Sequence, residues 1–444
     1  MVEIVQAEVA REVEHIVEAV LHQRRTALNL AQTEFDVRTA MHAGGRVLLE
    51  QLLNSEPGQR GTTIACGAGH QAEFVAYRDK QLTTILGTVR LGRAYYHCVP
   101  CGVGRSPKDQ ELDVVATSFS PGARRLMARV GAQEAFAAAQ ADLAELSGLT
   151  VETKEVERIS EHCGTQIEVT ATAERAAVMA GKVVPLTSVP VLYVAIDATG
   201  VPVVPREVVG RAGKDGPAKT RDVKLACVFT QTTVDAEGYA VRDPGSTSYV
   251  GAIEPAAQFA PRVKAEAVRR GLHRATQVVV LGDGAPWIWN LAADQFPGAV
   301  HIVDLYHARE HLAALGKLVY GAETAAAKDW IAARFKDLDD GAVDAVLHAC
   351  RQLPAPSEAV REQVRKETEY FETHALRMCY HAFRALGLFV GSGAIEAGCK
   401  TVVGQRLKHS GMRWTVAGAN AVIALRCTLL SNRWEDFWEK RAAG

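Results

Sequence analysis

Apolar residues recur near a 3.6-residue period through the first 55 positions, at Val2, Val5, Val13, Ile16, Val17, Val20 and Leu21, with no proline before Pro57. That spacing predicts a helical region whose stripe is a packing face rather than a binding site. A stretch bearing Gly and Ser, from Ser55 to Gly61, breaks it. Over residues 62–105 the period shortens. EFVAYR and LTTILGTVRLGRAYY are rich in Thr, Val and Tyr with Gly as punctuation, which is a strand pattern. Helical spacing returns over 118–180. AFAAAQADLAELSGLT and VETKEVERISEHCG flank Gly148 and outline a helix-turn-helix. GKVVPLTSVP, with Pro185 and Pro190, closes this region as a linker.

Residues 191–310 change class. VLYVAID, VKLACVFTQT, VVVLGDG and HIVDLY are apolar runs of buried-strand type. APWIWNLAADQF lies between the last two and reads as a helix with Pro286 in its first turn. The polar segment 205–222, with Gly210, Gly213 and Gly216, reads as a hairpin or loop. Residues 312–390 are helical with an internal break at LPAPSEAV, and 391–444 read as two helices capped by Ser392 and Thr415. The chain therefore divides into a helical N-terminus (1–60), a small β module (61–115), a helical segment (116–185), an α/β region (190–311), an all-helical stretch (312–390) and C-terminal helices (391–444). This is a multidomain α/β protein.

Charge narrows the classes. Fifty basic and 51 acidic residues leave a net charge of -1 over 444 residues, which excludes a polybasic protein that holds nucleic acid by bulk charge. A local basic surface remains open. No apolar run is long enough to span a bilayer, and MVEIVQAEVAREVEHIVEAV lacks a signal-peptide core, so the expectation is a soluble, cytoplasmic protein without membrane partners. Nine cysteines spread over so long a chain make a disulfide framework improbable and point to metal binding or core filling.

Three acids stand where carboxylates are costly unless used. Asp197 closes VLYVAID, Asp283 closes VVVLGD, and Glu396 lies in the otherwise apolar GSGAIEAGCK. They are 86 and 113 residues apart, so only a fold can gather them. A carboxylate at the carboxyl end of a buried strand points into the crevice where open α/β sheets place ligands. Several such carboxylates cannot share a site ionised without a cation. Mg²⁺ or Mn²⁺ suits oxygen ligands, and two ions about 3.5–4 Å apart stabilise both oxygens of an in-line phosphodiester displacement. Any one of these acids taken alone is more simply a helix cap or turn residue. The set, with its order of strands and a late carboxylate-bearing helix, outlines a ribonuclease H-like fold.

YVAIDATGVP, VVLGDGAPWIWN, VDLYHAREHL, GSGAIEAGCKTVVGQRLKHSGMRW and NRWEDFW carry a resemblance across 190–444. The chain resembles a bacterial insertion-sequence transposase of the DDE type, of the ISKra group related to Mutator-like transposases. The resemblance implies Asp197, Asp283 and Glu396 as catalytic, Mg²⁺-binding carboxylates. It also implies an all-helical insertion (312–390) in the ribonuclease H-like domain that helps hold transposon ends. Asp304 and His307 match the Asp-x-x-His motif such enzymes carry, and this pair either contacts DNA or buttresses the metal site. Two alternatives stay open. Asp304 caps the helix that carries His307 and His311, or it replaces Asp283 as the second ligand. Trp330 and Phe335 in the insertion are core residues or stack on a flipped base, with core the simpler reading.

Residues 397–433 hold Lys400, Arg406, Lys408, Arg413, Arg426 and Arg433 and no acid, a phosphate-contact pattern with a solvated face as its plain alternative. Lys400, one helical turn after Glu396, is expected to face the same site. Cys66-x3-His70 and Cys98-x2-Cys101 supply two close pairs of N and S ligands, suited to one structural Zn²⁺, with His97 as a competing ligand. Related transposases often have four cysteines here, so His70 is a departure. Around this site Arg90, Arg93, Arg105 and Lys108 accompany Tyr95 and Tyr96, a ribbon suited to DNA. The second helix of the helix-turn-helix carries Glu152, Glu155, Glu157 and Glu161 against Lys154 and Arg158, which favours a structural bundle over a DNA reader.

The expected function is metal-dependent cleavage and joining of double-stranded DNA, element ends to target, by a homodimer or larger assembly. The alternatives are a non-catalytic DNA-binding derivative and a ribonuclease H-like nuclease without strand transfer.

Overall fold

The computed structural model describes residues 7, 10, 11, 13–15, 17, 18, 29–56, 58–182, 188–213 and 216–442. Val2, Val5, Ile16, Val20, Leu21, Pro57 and Pro185 lie outside the described residues, while Val13 and Val17 are helical and exposed. The chain separates into two compact units, Met1–Cys163 with Trp438–Gly444, and Gly164–Phe437. No helix among the described residues is long and apolar enough to cross a membrane.

The first unit is built on a four-stranded antiparallel sheet in chain order: β1 (Thr63–Ala65), β2 (Gln71–Thr84), β3 (Gly87–Cys98) and β4 (Val103–Arg105). Strands β2 and β3 form one long hairpin with a register shift between Phe74 and Ala76. Helix α1 (Leu30–Asn54) packs on β3, where the Asn54 amide accepts from the Gly92 N–H and donates to the Arg90 carbonyl. Helices α2 (Pro121–Gln133) and α3 (Phe136–Asp142) follow, and a π-helical turn leads α3 to Gly148 in the left-handed region. Helix α4 (Thr153–Met179) comes next, so the expected helix, Gly148 turn and helix are all present; the division between units falls within α4.

The second unit is a mixed α/β assembly around a five-stranded sheet. Its strands are β5 (Val189–Pro202), β6 (Thr220–Gln231), β7 (Ser248–Ala252), β8 (Ala275–Gly282) and β9 (Val300–Val303), in the order β7-β6-β5-β8-β9. Strands β7, β6 and β5 alternate in direction, and β8 and β9 continue parallel to β5. Leu192 to Ile196 of β5 are wholly buried, as a central strand covered on both faces requires. Tyr193 stacks on Phe229 of β6 at 4.8 Å and meets Phe389 edge-on.

Two of these elements depart from the sequence reading. Strand β7 (SYVGA) and helix α5 (Ala256–Arg269) were not expected. The strand is short, lies at the sheet edge and lacks an apolar run. The helix contains Pro261, which removes an interior donor and reads as a helix stop. Strand β5 also runs beyond Asp197 to Pro202. Its pairing with β8 ends at Ala195, whereas its pairing with β6 continues to Pro202 opposite Thr220. Past the sheet, β5 and β6 therefore form a two-stranded arm. Trp414 closes its tip, donating to the Pro202 carbonyl and accepting from the Val204 N–H.

Helix α6 (Pro286–Gln295) begins at its proline as expected. Helices α7 (Leu305–Tyr320), α8 (Ala325–Asp339), α9 (Val343–Arg351), α10 (Glu358–His374) and α11 (Tyr380–Ala385) make the next stretch all helical among the described residues. Trp330 and Phe335 of α8 are half-buried: Trp330 packs over Gly316 and near Tyr320, and Phe335 lies under Arg309. The C-terminal region is less simple than two helices. Helix α12 (Gly393–Gly398) passes into a π-helical turn at Cys399–Gly404, and α13 (Val416–Leu430) and α14 (Trp434–Ala442) follow. Thr415 caps α13 through its hydroxyl, whereas the Ser392 hydroxyl caps no backbone N–H and donates to Glu396 Oε1 at 3.3 Å.

Candidate functional site

Strand register places the acids. Ala195 pairs with Leu281 across β5 and β8, and Gly282 pairs with Val303 across β8 and β9. Two residues on from Ala195, Asp197 therefore stands level with Asp283, and Asp304 stands level with both. Three aspartates lie in a row where the parallel pairing of three adjacent strands ends, with about 4.8 Å between strands. The Asp304 N–H continues the ladder by donating to the Gly282 carbonyl at 2.9 Å. Glu396 approaches from α12. Asp197, Asp283, Asp304, His307, Glu310 and Glu396 all line one cavity of about 290 Å³.

The carboxylates do different work. Both oxygens of Asp304 are engaged: Oδ1 accepts from the His307 N–H at 2.6 Å, capping α7, and Oδ2 accepts from the Ser392 N–H at the head of α12. Asp304 is 2 % exposed, so it joins the sheet to the element bearing Glu396 rather than presenting a free carboxylate. Asp283 accepts from the Ala285 N–H with Oδ1 only, and Asp197 accepts from the Ala198 N–H and, at 3.3 Å, the Cys399 thiol. Burial pushes the Asp197 carboxyl above the usual carboxylate range against those two donors, and the charge of Asp283 acts in the same direction as burial. Burial and the Asp197 charge together raise the Cys399 thiol strongly, so it stays a neutral donor.

Gly284 turns the chain after Asp283 with φ +106°, and a Cβ there would lie 2.6 Å from the Tyr370 ring. The Tyr370 hydroxyl donates to the Asp283 carbonyl at 3.0 Å, and its ring stacks on His311 at 4.1 Å. His311 Nδ1 is 2.6 Å from Glu367 Oε2, and its Nε2 is 3.2 Å from His307 Nε2. His307 Nδ1 in turn has Glu310 Oε2 at 3.6 Å, so the two imidazoles form a chain between the carboxylates of Glu310 and Glu367. Nearby, burial and the Arg377 charge hold His374 down to about 4, so it is neutral.

Sequence reasoning missed Glu310, Glu367, Tyr370 and Cys399. The first three sit on helices as ordinary polar residues, and no local pattern marks them. Cys399 displaces Lys400 from the expected role. The π-helical turn changes the angular step, Cys399 reaches Asp197, and Lys400 is exposed and does not line the cavity.

Other basic candidates also require correction. Arg406 is wholly buried with its guanidinium over the Trp414 ring, so it cannot meet DNA in this conformation. Arg426 is buried and donates to the carbonyls of Thr401 and Val402, and Arg433 binds Glu266. Lys400, Lys408 and Arg413 remain exposed. In the first unit Arg93 binds Asp109 at 2.7 Å and is largely covered, and Lys108 is buried against the carbonyls of Leu53, Glu56 and Gly92. Arg90 is 63 % exposed but has Asp79 at 3.6 Å. Acids from neighbouring elements thus offset a ribbon that is purely basic in its own sequence.

The thiol cluster assembles as its spacing suggested. One ligand atom from each of Cys66, His70, Cys98 and Cys101 lies within 4.8 Å of all the others, and these four could hold a metal such as zinc. Cys66 and Cys101 sulfurs are 3.8 Å apart, which matches about 3.8 Å between thiolates held 2.3 Å from one tetrahedral ion. His70 Nδ1 is 3.2 Å from the Cys101 sulfur, and His97 is outside the cluster because its side chain alternates with that of Cys98 along β3. The Ala68 N–H lowers the Cys66 thiol to about 7, while the Cys98 thiol, burial and Cys66 raise Cys101 to about 11. Crowded thiols that resist joint ionisation suit a cation among them. Among the described residues this is the one group of three or more His, Cys, Asp or Glu side chains so placed as to hold a metal ion.

No family model and no curated protein matches the sequence. Among solved structures, the chain is similar to a Drosophila P element transposase in its strand transfer complex. The match covers 76 % of this chain and 84 % of the other, at 9 % identity and a TM-score of 0.24. Likeness at that level bears on neither fold nor activity.

Proposed function

We propose that the protein is a DDE transposase that cleaves DNA at the ends of an insertion sequence and joins the freed 3′-hydroxyl to target DNA. One observation carries this reading: Asp197 and Asp283 stand level where the pairing of two adjacent parallel strands ends, and Glu396 lines the same cavity. Strand order and direction support the ribonuclease H-like form of the fold, with α7 to α11 as the helical insertion between the second and third acids. Oxygen donors around a polar cavity fit Mg²⁺ or Mn²⁺, and Asp197, Asp283 and Glu396 would hold up to two ions. Such ions, when bound, lower the pKa of an attacking water or 3′-hydroxyl and neutralise charge on the leaving oxygen.

The protein's own groups do the rest. Asp304 fixes the start of α12 so that Glu396 faces the sheet. Tyr370 and Gly284 hold the turn after Asp283. His307, oriented through His311 and Glu367, lines the cavity beside the acids, where it can take the proton that leaves the nucleophile. The Cys/His cluster holds one structural Zn²⁺. DNA at two element ends requires at least two chains, so a dimer or larger is expected on DNA, and light scattering of a purified end complex reads that directly.

The test is incubation with labelled element-end duplex and Mg²⁺. Wild type yields joined products. Asp197→Ala, Asp283→Ala and Glu396→Ala each reduce cleavage at least about 10³-fold, as loss of a transition-state contact worth about 4 kcal/mol does, and retain end binding. Normal cleavage by any of the three removes that residue from the site, and cutting without joining makes the enzyme a nuclease.

A further inference from the structure

The connection at the tip of the arm formed by β5 and β6, residues 203–213 and 216–219, faces the turn 408–413, and the two line a groove of about 1190 Å³. Small-molecule sites occupy about 300–1,000 Å³, so the space exceeds what a small ligand fills. Arg211, Lys219, Lys408, His409 and Arg413 line it, and no acidic residue does among those described. Arg211, Lys219, Lys408 and Arg413 are exposed and make no ion pair within the described residues. Elsewhere in the unit, Arg262, Arg269 and Arg433 are each matched to a glutamate. Apolar atoms of Val208, Val209 and Met412 complete the wall.

Position gives the groove its meaning. Lys408 donates from Nζ to the Thr199 hydroxyl on β5, two residues from Asp197. The groove begins at Pro202, five residues from Asp197 along an extended strand. At about 3.3 Å per residue that is about 17 Å. A nucleic-acid strand advances ~3.4 Å per nucleotide, so about five nucleotides bridge the distance.

We infer that this groove is a binding site for the sugar-phosphate backbone of the DNA strand about five nucleotides from the bond cut at Asp197, with Arg211, Lys219 and Arg413 as its phosphate contacts. The assignment of the cut to Asp197 rests on the function proposed above; the phosphate site itself does not. Cationic side chains on both walls grip the backbone without reading bases, and Val209, 80 % exposed at the rim, gives a sugar or base face an apolar rest.

The experiment uses the full chain with a fluorescein-labelled 30-base-pair duplex of arbitrary sequence, reading anisotropy between 50 and 200 mM NaCl. Each lost phosphate contact lowers the log–log salt slope by about 0.9. Arg211→Ala/Lys219→Ala/Arg413→Ala should therefore flatten the slope by about 2.7 and leave the melting temperature unchanged. Arg211→Lys/Arg413→Lys should keep the wild-type slope. Asp197→Asn should keep the slope and lose cleavage. An unchanged slope in the triple alanine variant overturns the groove while leaving the catalytic reading intact. A flattened slope in a protein that cuts no DNA under any metal does the reverse. Preference for a duplex RNA or a polyglutamate peptide over DNA, lost in the triple variant, overturns the assignment to DNA.

Discussion

At the level of single residues, the sequence marks which acids are costly but not how each is used. Asp197, Asp283 and Glu396 were legible because each interrupts or ends an apolar run. Asp304 was legible only as a rival, since four residues of sequence cannot show that both its oxygens accept backbone N–H groups. That difference is measurable. Asp304→Asn turns an amide N–H₂ toward one of two buried donors and should lower stability by about 1–3 kcal/mol, with cleavage falling in parallel. Asp283→Asn leaves the Ala285 N–H an acceptor, so it should cost little stability and nearly all cleavage. Urea unfolding of the two variants beside a cleavage assay separates the roles; equal stability in both would place Asp304 among the free carboxylates. Arg406 and Arg93 failed as exposed cations for a related reason. Charge is visible in the sequence, but the Trp414 ring and Asp109 carboxylate that claim these side chains come from other elements.

At the level of elements, periodicity found the long helices and the buried strands, where many positions agree. It missed β7, a five-residue edge strand, and α5, whose Pro261 argues locally against the helix that tertiary packing enforces. It also placed Lys400 by an α-helical step where the chain makes a π-helical turn. The thiol cluster was legible because metal sites fix spacing: Cys66 and His70 flank one turn, and Cys98 and Cys101 flank another. One zinc per chain is the expected content by elemental analysis. Cys98→Ser should abolish it and unfold the β1–β4 sheet, seen as loss of amide protection over 63–105, since structural zinc contributes folding energy directly. Retained protection without metal would make the cluster incidental. A second element-scale expectation concerns the turn after Asp283. Gly284→Ala sets a Cβ against Tyr370 at a φ that L-residues disfavour, so it should displace the ring and reduce cleavage more than DNA binding.

For the molecule as a whole, near-neutral charge hides a sorted distribution, with an acidic cavity, a basic groove and a buried ionic knot. Glu266 of α5 is wholly buried, and Arg433, Arg269 and the Ser248 hydroxyl surround it. None of this was visible in the sequence, where 167 residues separate Glu266 from Arg433. Burial opposes the charge of Glu266, but the Arg433 guanidinium outweighs it and leaves the carboxyl below its usual range. A depressed carboxyl stabilises the fold fully above the unfolded value near 4.3, and that stability is lost as pH falls through the folded value. Glu266→Gln removes the charge at every pH and strands two guanidinium groups, a change that costs about 3–5 kcal/mol when one partner of a buried pair is deleted. Wild type and variant should therefore differ most in urea unfolding at pH 7, equally at pH 6, and converge below pH 4. A difference that stays constant down to pH 3 would mean that shape rather than charge secures Glu266, and the ionic account of how α5 is held to the segment after α13 would fall.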